Sequence, residues 1–273
     1  MFTSPGITFA MYNGAFKKHH KLCLSILKEF GFGVSSASEI RILREVESMT
    51  AKILEFNGRP FVPKPLTSLS TFNVISSILF GETFKTSENC RRISDAINKF
   101  VLNVGFAMSF VPLLRFLPSF HRKVSTMVQL HKDIFIDIEK GIECCKSVDC
   151  ESTFVRRFIE IEGSEYDRQD LLYIVRDLCF ASADTVSTTL LWAMVELANN
   201  IEIQNRFQRE IDDVISKDRF PSLNDKPRLP YTEAVILEVM RRHTLAPLYT
   251  PHATLRDAEV FGYNIPRGCL VII

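Results

Sequence analysis

Between Asp170 and Asn199 runs a segment with no glycine and no proline, in which apolar residues recur at helical spacing. As one continuous helix it would reach roughly 45 Å, at 1.5 Å per residue, enough to cross a whole domain. A chain that contains it must build its fold around a long rod. The other residues suit that demand. Only 11 Gly and 12 Pro stand against 22 Phe, so breakers are few and aromatic bulk is plentiful. Long helices around a Phe-rich core follow from that balance.

The same periodicity predicts helices over Gly14–Phe30, from Ser36 or Ser38 to about Phe56, and over Thr67–Phe80, Arg91–Val111 and His121–Cys145. Glu202–Ser216 and Thr232–His243 follow, separated by the proline-rich loop Arg219–Pro230. Gly58–Pro65 is expected to be a loop and Pro112–Pro118 a turn. Only after Leu245 does the pattern become strand-like, broken by Pro and Gly. The expected fold is mainly α with a small β portion at the C-terminal end.

Charge and cysteine usage narrow the function. Thirty-three Lys and Arg against 32 Asp and Glu give a net charge of +1, without the basic excess of a nucleic-acid binder. Seven cysteines, an odd number at irregular spacing in a chain this long, do not describe a secreted disulfide framework. Cys144, Cys145 and Cys150 do not have a zinc spacing. No basic leader precedes an apolar run at the N-terminus. The stretch Val101–Pro118 is apolar but interrupted by Asn103, Arg115 and two prolines, which suits a buried or membrane-grazing segment better than a spanning helix.

Three constellations could carry chemistry. Ala181-Ser182-Ala183-Asp184-Thr185 places small and polar residues in the middle of the long apolar segment. Small residues allow a flat group to lie against a helix, and a hydroxyl beside a carboxylate can pass protons. A solvent-facing stripe at a helix crossing is the plainer alternative. Glu238 and Arg241, three apart, can pair on one helix face, as many exposed helices do. Phe16-Lys17-Lys18-His19-His20-Lys21 is a basic face. Its adjacent histidines point about 100° apart and cannot easily share a metal ion. Gly31-x-Gly33 follows a helix and has Ser36 where a third glycine is required, so no dinucleotide fingerprint is present.

Taken together and in this order, the segments resemble the haem-thiolate monooxygenases, the cytochrome P450 family. NGAFKKHHKLCLSILKEFGFG is similar to the family's helix C, FNVISSILFG to helix E, and VPLLRFLPSFHRKV to the link between helices F and G. LCFASADTVSTTLLWAMVELANN resembles the oxygen-activating helix I, PRLPYTEAVILEVMRRHT resembles helix K, and PLYTPHATLRDAEVFGYNIPRG the β segment after it. The match covers essentially the whole chain and is closest to the microsomal group that oxidises drugs, steroids and fatty acids. It implies a single incomplete domain over residues 1–273, from helix C to the β segment after helix K, truncated at both ends.

The resemblance also implies residue roles. Asp184 and Thr185 match the acid–alcohol pair that delivers protons to bound dioxygen. Ala181 and Ser182 match positions against the haem, Ser182 standing where the family usually has Gly. Phe16 and His20 stand where helix C usually presents Trp and Arg to a haem propionate, and His252 matches a further propionate contact. Glu238 and Arg241 match a buried pair behind the haem. Phe180, Leu245, Ala246, Leu248, Tyr249 and Thr250 would line the substrate pocket. Lys17, Lys18 and Lys21 would face an acidic reductase, the partner through which NADPH supplies electrons. The apolar composition of Phe106–Phe120, beside Arg115 and Lys123, suits either contact with the bilayer interface or ordinary core. The cysteine haem ligand is expected beyond Ile273, so no residue here is assigned to the metal. The implied setting is the cytoplasmic face of the endoplasmic reticulum membrane. The implied function is insertion of one oxygen atom of dioxygen into an apolar substrate. The alternative is a non-catalytic helical remnant, a decoy or splice product that binds membrane or reductase.

Overall fold

Asn13 begins the first helix because its short side chain can satisfy a backbone donor that the helix leaves open. Its carboxamide oxygen accepts from the Phe16 N–H at 2.9 Å. The computed structural model describes residues 6–8, 10–33, 36–85, 88–103, 118–146, 152–215, 219–247 and 252–272. Their helices are α1 (Gly14–Glu29), α2 (Ser36–Glu55), α3 (Pro63–Phe80), α4 (Glu82–Lys85), α5 (Glu88–Asn103) and α6 (Pro118–Cys145). After them come α7 (Phe154–Glu162), α8 (Arg168–Asn199), α9 (Ile201–Val214) and α10 (Pro230–Arg242). Four short strands follow: β1 (His252–Ala253), β2 (Ala258–Val260), β3 (Tyr263–Ile265) and β4 (Leu270–Val271). A mainly α chain with small strands at its C-terminal end is what the periodicity predicts.

The bounds differ from expectation where proline is concerned. Gly58–Pro65 is expected as loop, yet α3 already starts at Pro63. The first helical position has no use for an N–H, and the fixed φ of proline suits it. The same holds for Pro118 and Pro230 at the starts of α6 and α10. Helix α7, capped by Thr153 accepting from the Arg156 N–H at 3.2 Å, is not anticipated by the sequence. Residues 104–117, and with them most of the membrane-contact segment, lie outside the described residues.

The core is the seam between α3 and α8. Phe72, Ile75, Ile78 and Leu79 of α3 meet Leu171, Ile174, Val175 and Cys179 of α8, all buried. Ile93 and Ile97 of α5, Ile134 and Ile138 of α6, and Phe154 and Phe158 of α7 close around them. Each such side chain contributes about 1.5–3 kcal/mol when removed from water. Helix α8 is long and apolar enough to cross a bilayer by length and composition alone, but one face of it is spent on this protein core. Near the N-terminus, the buried Asp177 carboxylate accepts from the Ile7 and Thr8 N–H groups at 2.8 and 2.9 Å, which straps that segment across α8.

The strands form two antiparallel pairs, β1 with β4 and β2 with β3. Between β2 and β3, Phe261 and Gly262 both have positive φ, 53° and 80°, as a tight hairpin turn demands.

Candidate functional site

The polar run in the middle of α8 divides into three groups by environment. Ser187 points inward and is fully buried, within 2.9 Å of the Thr67 hydroxyl and 3.0 Å of the Ser68 hydroxyl on α3. These hydroxyls satisfy one another where the two helices press together. Ser182 and Thr189 return their protons to their own helix, to the carbonyls of Cys179 and Thr185 at 3.0 and 3.1 Å. That back-bonding lets hydroxyls sit within an apolar helix at little cost. Asp184 and Thr185 differ from these, Asp184 in its partner from another helix and Thr185, though back-bonded too, in being exposed.

The Asp184 carboxylate is gripped from another element. Lys64, in the first turn of α3, donates to Oδ1 at 2.7 Å, and the Thr188 hydroxyl donates to the same oxygen at 3.4 Å. Beside it, Thr185 is exposed and donates to the Ala181 carbonyl at 2.8 Å. Ala181 is exposed on the same face, one turn earlier, while Ala183 is wholly buried toward the core. The open face of α8 thus carries a small residue and a hydroxyl, with a fixed carboxylate at its edge. Phe180 is partly buried and meets Phe100 edge-on at 5.1 Å.

On α1 the Phe16 and His20 rings are stacked at 5.5 Å, Phe16 half-buried and His20 exposed. His19 turns inward to Phe158 and lies 3.7 Å from Asp170. The three lysines differ. Lys17 sits over the Tyr12 ring at 4.8 Å and Lys21 is exposed. Lys18 donates to Glu162 and Glu165 at 2.9 and 2.7 Å, fastening α1 to the end of α7.

Glu238 and Arg241 make a two-bonded pair at 2.7 Å each. The resemblance implies a buried pair, but these side chains are 54% and 72% exposed. Val239 is the inward residue of this turn of α10, and its neighbours at one and two positions are rotated away from the interior. His252 lies exposed in β1, and Leu245 and Ala246 are exposed. Leu248, Tyr249 and Thr250 fall outside the described residues. The described hydrogen bonds tie Phe16, Thr185 and the Glu238–Arg241 pair each to its own surroundings and not to one another.

The haem group that the resemblance implies would need a flat face to lie against and a thiolate to hold it. The open side of α8 at Ala181 and Thr185 fits the first. The described cysteines do not fit the second. Burial pushes the Cys23 thiol up to about 12 and raises Cys179 well above its ordinary value, and both are sealed in the helical core, away from the open face of α8. Cys90 and Cys145 are also buried. Cys269 is held just before β4, its N–H bonded to the Thr254 hydroxyl at 3.0 Å. Among the described residues, no three His, Cys, Asp or Glu side chains are gathered for a metal ion.

Sequence reasoning misses Lys64, the residue that fixes Asp184. It lies 120 positions away, and spacing along a chain says nothing about such partners. Its place in Pro63-Lys64-Pro65 reads as loop.

Comparison with known proteins completes the picture. The family model described as cytochrome P450 matches residues 1–273. Cytochrome P450 2U1 of Rattus norvegicus is 31% identical over 283 residues, covering 98% of this chain and 53% of that protein. Cytochrome P450 1A1 of Cavia porcellus is 32% identical, over 93% of this chain and 53% of its own length. Cytochrome P450 2E1 of Rattus norvegicus is 31% identical, over 99% and 57%. The chain spans about half the length of these curated relatives, and its likeness to them runs from end to end. It belongs to the cytochrome P450 family.

Proposed function

We propose that residues 1–273 are one incomplete domain, the helical part of a haem-dependent monooxygenase. It would insert one oxygen atom of dioxygen into an apolar organic substrate. Electrons would come from NADPH through a cytochrome P450 reductase-type partner, at the cytoplasmic face of the endoplasmic reticulum membrane. One observation carries this: midway along the longest helix, a carboxylate fixed by Lys64 stands beside an outward hydroxyl on a face of small residues. Family membership supports it.

When bound, haem supplies the activation of dioxygen. The chain's own residues supply position and protons. Ala181 and Ser182 would lie against the flat group, and Phe16, His20 and His252 would meet its propionates. Phe180 and Leu245–Thr250 would line the substrate pocket. Thr185 now gives its proton to the Ala181 carbonyl, so its oxygen faces outward as an acceptor. To donate outward it must release that carbonyl and be resupplied. Asp184, held still by Lys64, is the adjacent acid through which a proton can pass. Glu238 and Arg241 brace α10.

Haem titration of the purified chain tests the assignment of α8. Ala181→Phe places a ring on an exposed position, where the fold tolerates it, and should weaken haem binding about tenfold, or about 1.4 kcal/mol. Equal affinity in both proteins removes this face from the site.

A second reading is favoured by the burial of Cys23 and Cys179 in the helical core. On that reading these residues by themselves are non-catalytic and bind reductase or membrane without completing a thiolate centre.

A further inference from the structure

Beyond the proposed chemistry, the ends of α8 and α10 are joined by a compact group of side chains. Trp192, the one tryptophan in the chain, lies flat on the His243 imidazole, with ring centres 4.0 Å apart and planes within 7°. Glu196 is four residues after Trp192, on the same face of α8. Its Oε1 lies 2.5 Å from His243 Nε2. Its Oε2 accepts from Arg242 Nη1 at 3.2 Å and from Asn200 Nδ2 at 3.3 Å. The Glu196 and His243 side chains are 18% and 19% exposed, so the contact is partly shielded from water. A carboxylate can only accept, so Nε2 carries the proton in either charge state of the ring.

Three features of this place suit a cation beside Glu196. Glu196 offers the opposite charge, and the hydrogen bond from His243 is the main reason its carboxyl is held below the usual range. His243 caps the C-terminal end of α10, its own N–H bonded to the Val239 carbonyl at 2.9 Å, where unpaired carbonyls attract a cation. The Trp192 face attracts one as well. Glu196 also stands in the last turn of α8, the end at which a carboxylate is disfavoured unless a cation sits beside it.

Among the described residues, Arg242 reaches Glu196, and Glu238 and Tyr231 of α10 line the groove beside it. Arg241 occupies Glu238 with two bonds, and Tyr231 stacks under Arg206 of α9 at 4.0 Å. Arg242 remains on Glu196 when the ring is neutral. The contact then slackens without leaving a bare carboxylate behind.

We propose that Trp192, Glu196 and His243 form a proton-sensitive clasp between α8 and α10, closed as a stacked ion pair when His243 is protonated and slackened when it is neutral. Histidine is the side chain whose ordinary titration crosses the physiological range, so the clasp responds to modest changes in pH. It also sets how firmly α10 is anchored where the chain leaves it for Leu245.

Because the chain has a single tryptophan, its fluorescence reports the clasp directly. In the full chain, Trp192 emission should be quenched by the stacked imidazolium in mild acid. It should rise in a one-proton transition between about pH 5 and 8, with helical ellipticity constant throughout. His243→Gln keeps a donor for Glu196 but cannot be charged, so the transition should be lost. Glu196→Gln should leave a smaller one, because the ring is held less firmly. A flat wild-type profile overturns the proposal, as does a transition that persists unchanged in His243→Gln. If His243→Gln loses helical ellipticity, His243→Asn replaces it with the same two outcomes.

Discussion

Thr185 is a residue whose hydroxyl can be removed without disturbing the fold. It is exposed, and its bond to the Ala181 carbonyl only repeats what the helix already provides. Thr185→Ala should therefore change stability by no more than about 0.5 kcal/mol. In a full-length enzyme carrying this segment it should uncouple reductant use from product, because the hydroxyl proposed to end the proton path is gone. Product formed per reductant consumed is the measurement, and unchanged coupling would contradict the role given to Thr185. Asp225 presents the opposite case, a structural carboxylate. It is buried, accepts from Arg219, Arg228 and the Ser222 N–H, and completes the reciprocal cap of the turn Leu223–Arg228. The Arg219 hydrogen bonds, then that of Ser222, hold its carboxyl well below the usual carboxylate range. A carboxyl depressed in the folded state adds stability that is present above its unfolded value, near ~3.9. That stability is lost progressively as pH falls from there toward the depressed value. Amide exchange in Ser222–Arg228 should thus stay slow down to about pH 4 and become fast already at neutral pH in Asp225→Asn.

Helix by helix, what is legible in the sequence follows from length. The long segment from Asp170 to Asn199 is found within two residues of its structural start because its period persists over many turns. Helix α7 has only nine residues. Phe154, Val155 and Phe158 do mark one face of it, but a window that short cannot separate helix from strand. Helix packing shows where a glycine is required. Gly141 of α6 lies against α3 and α4, and a Cβ there would stand 2.7 Å from the Phe80 ring and 3.2 Å from that of Phe84. Gly141→Ala should destabilise the chain by about 1–3 kcal/mol through overpacking, read from thermal or denaturant unfolding. Helix α1 separates its lysines by task. With Lys18 committed to Glu162 and Glu165, a docking reductase would meet mainly Lys17 and Lys21. In a full-length enzyme, Lys17→Glu and Lys21→Glu should slow stopped-flow reduction by severalfold at low salt and less at high salt. Lys18→Ala should slow it less. Equal rates in all three would reduce the face to solvated charge.

Across the whole molecule, the α content, the terminal strands and the family were legible because they rest on periodicity and on ordered local segments. The ties that join those segments were not. Ile7 and Thr8 with Asp177, Lys18 with Glu162, Lys64 with Asp184 and Glu196 with His243 link positions 170, 169, 144, 120 and 47 residues apart, and no local pattern names such partners. The exposure of Glu238 and Arg241 was equally hidden, since a pair three residues apart reads the same at the surface or in a core. The proposed wall of the haem site is the open face of α8, while Cys23, Cys90, Cys145 and Cys179 are buried in the core. The central claim is that these residues furnish that wall and no axial thiolate of their own. The reduced, carbon-monoxide-bound difference spectrum of the purified chain supplied with haem tests it most directly. A haem band without the strongly red-shifted peak of thiolate ligation is the expected result, whereas a stable red-shifted peak would contradict the account and return a cysteine of this chain, Cys269 first, to the iron.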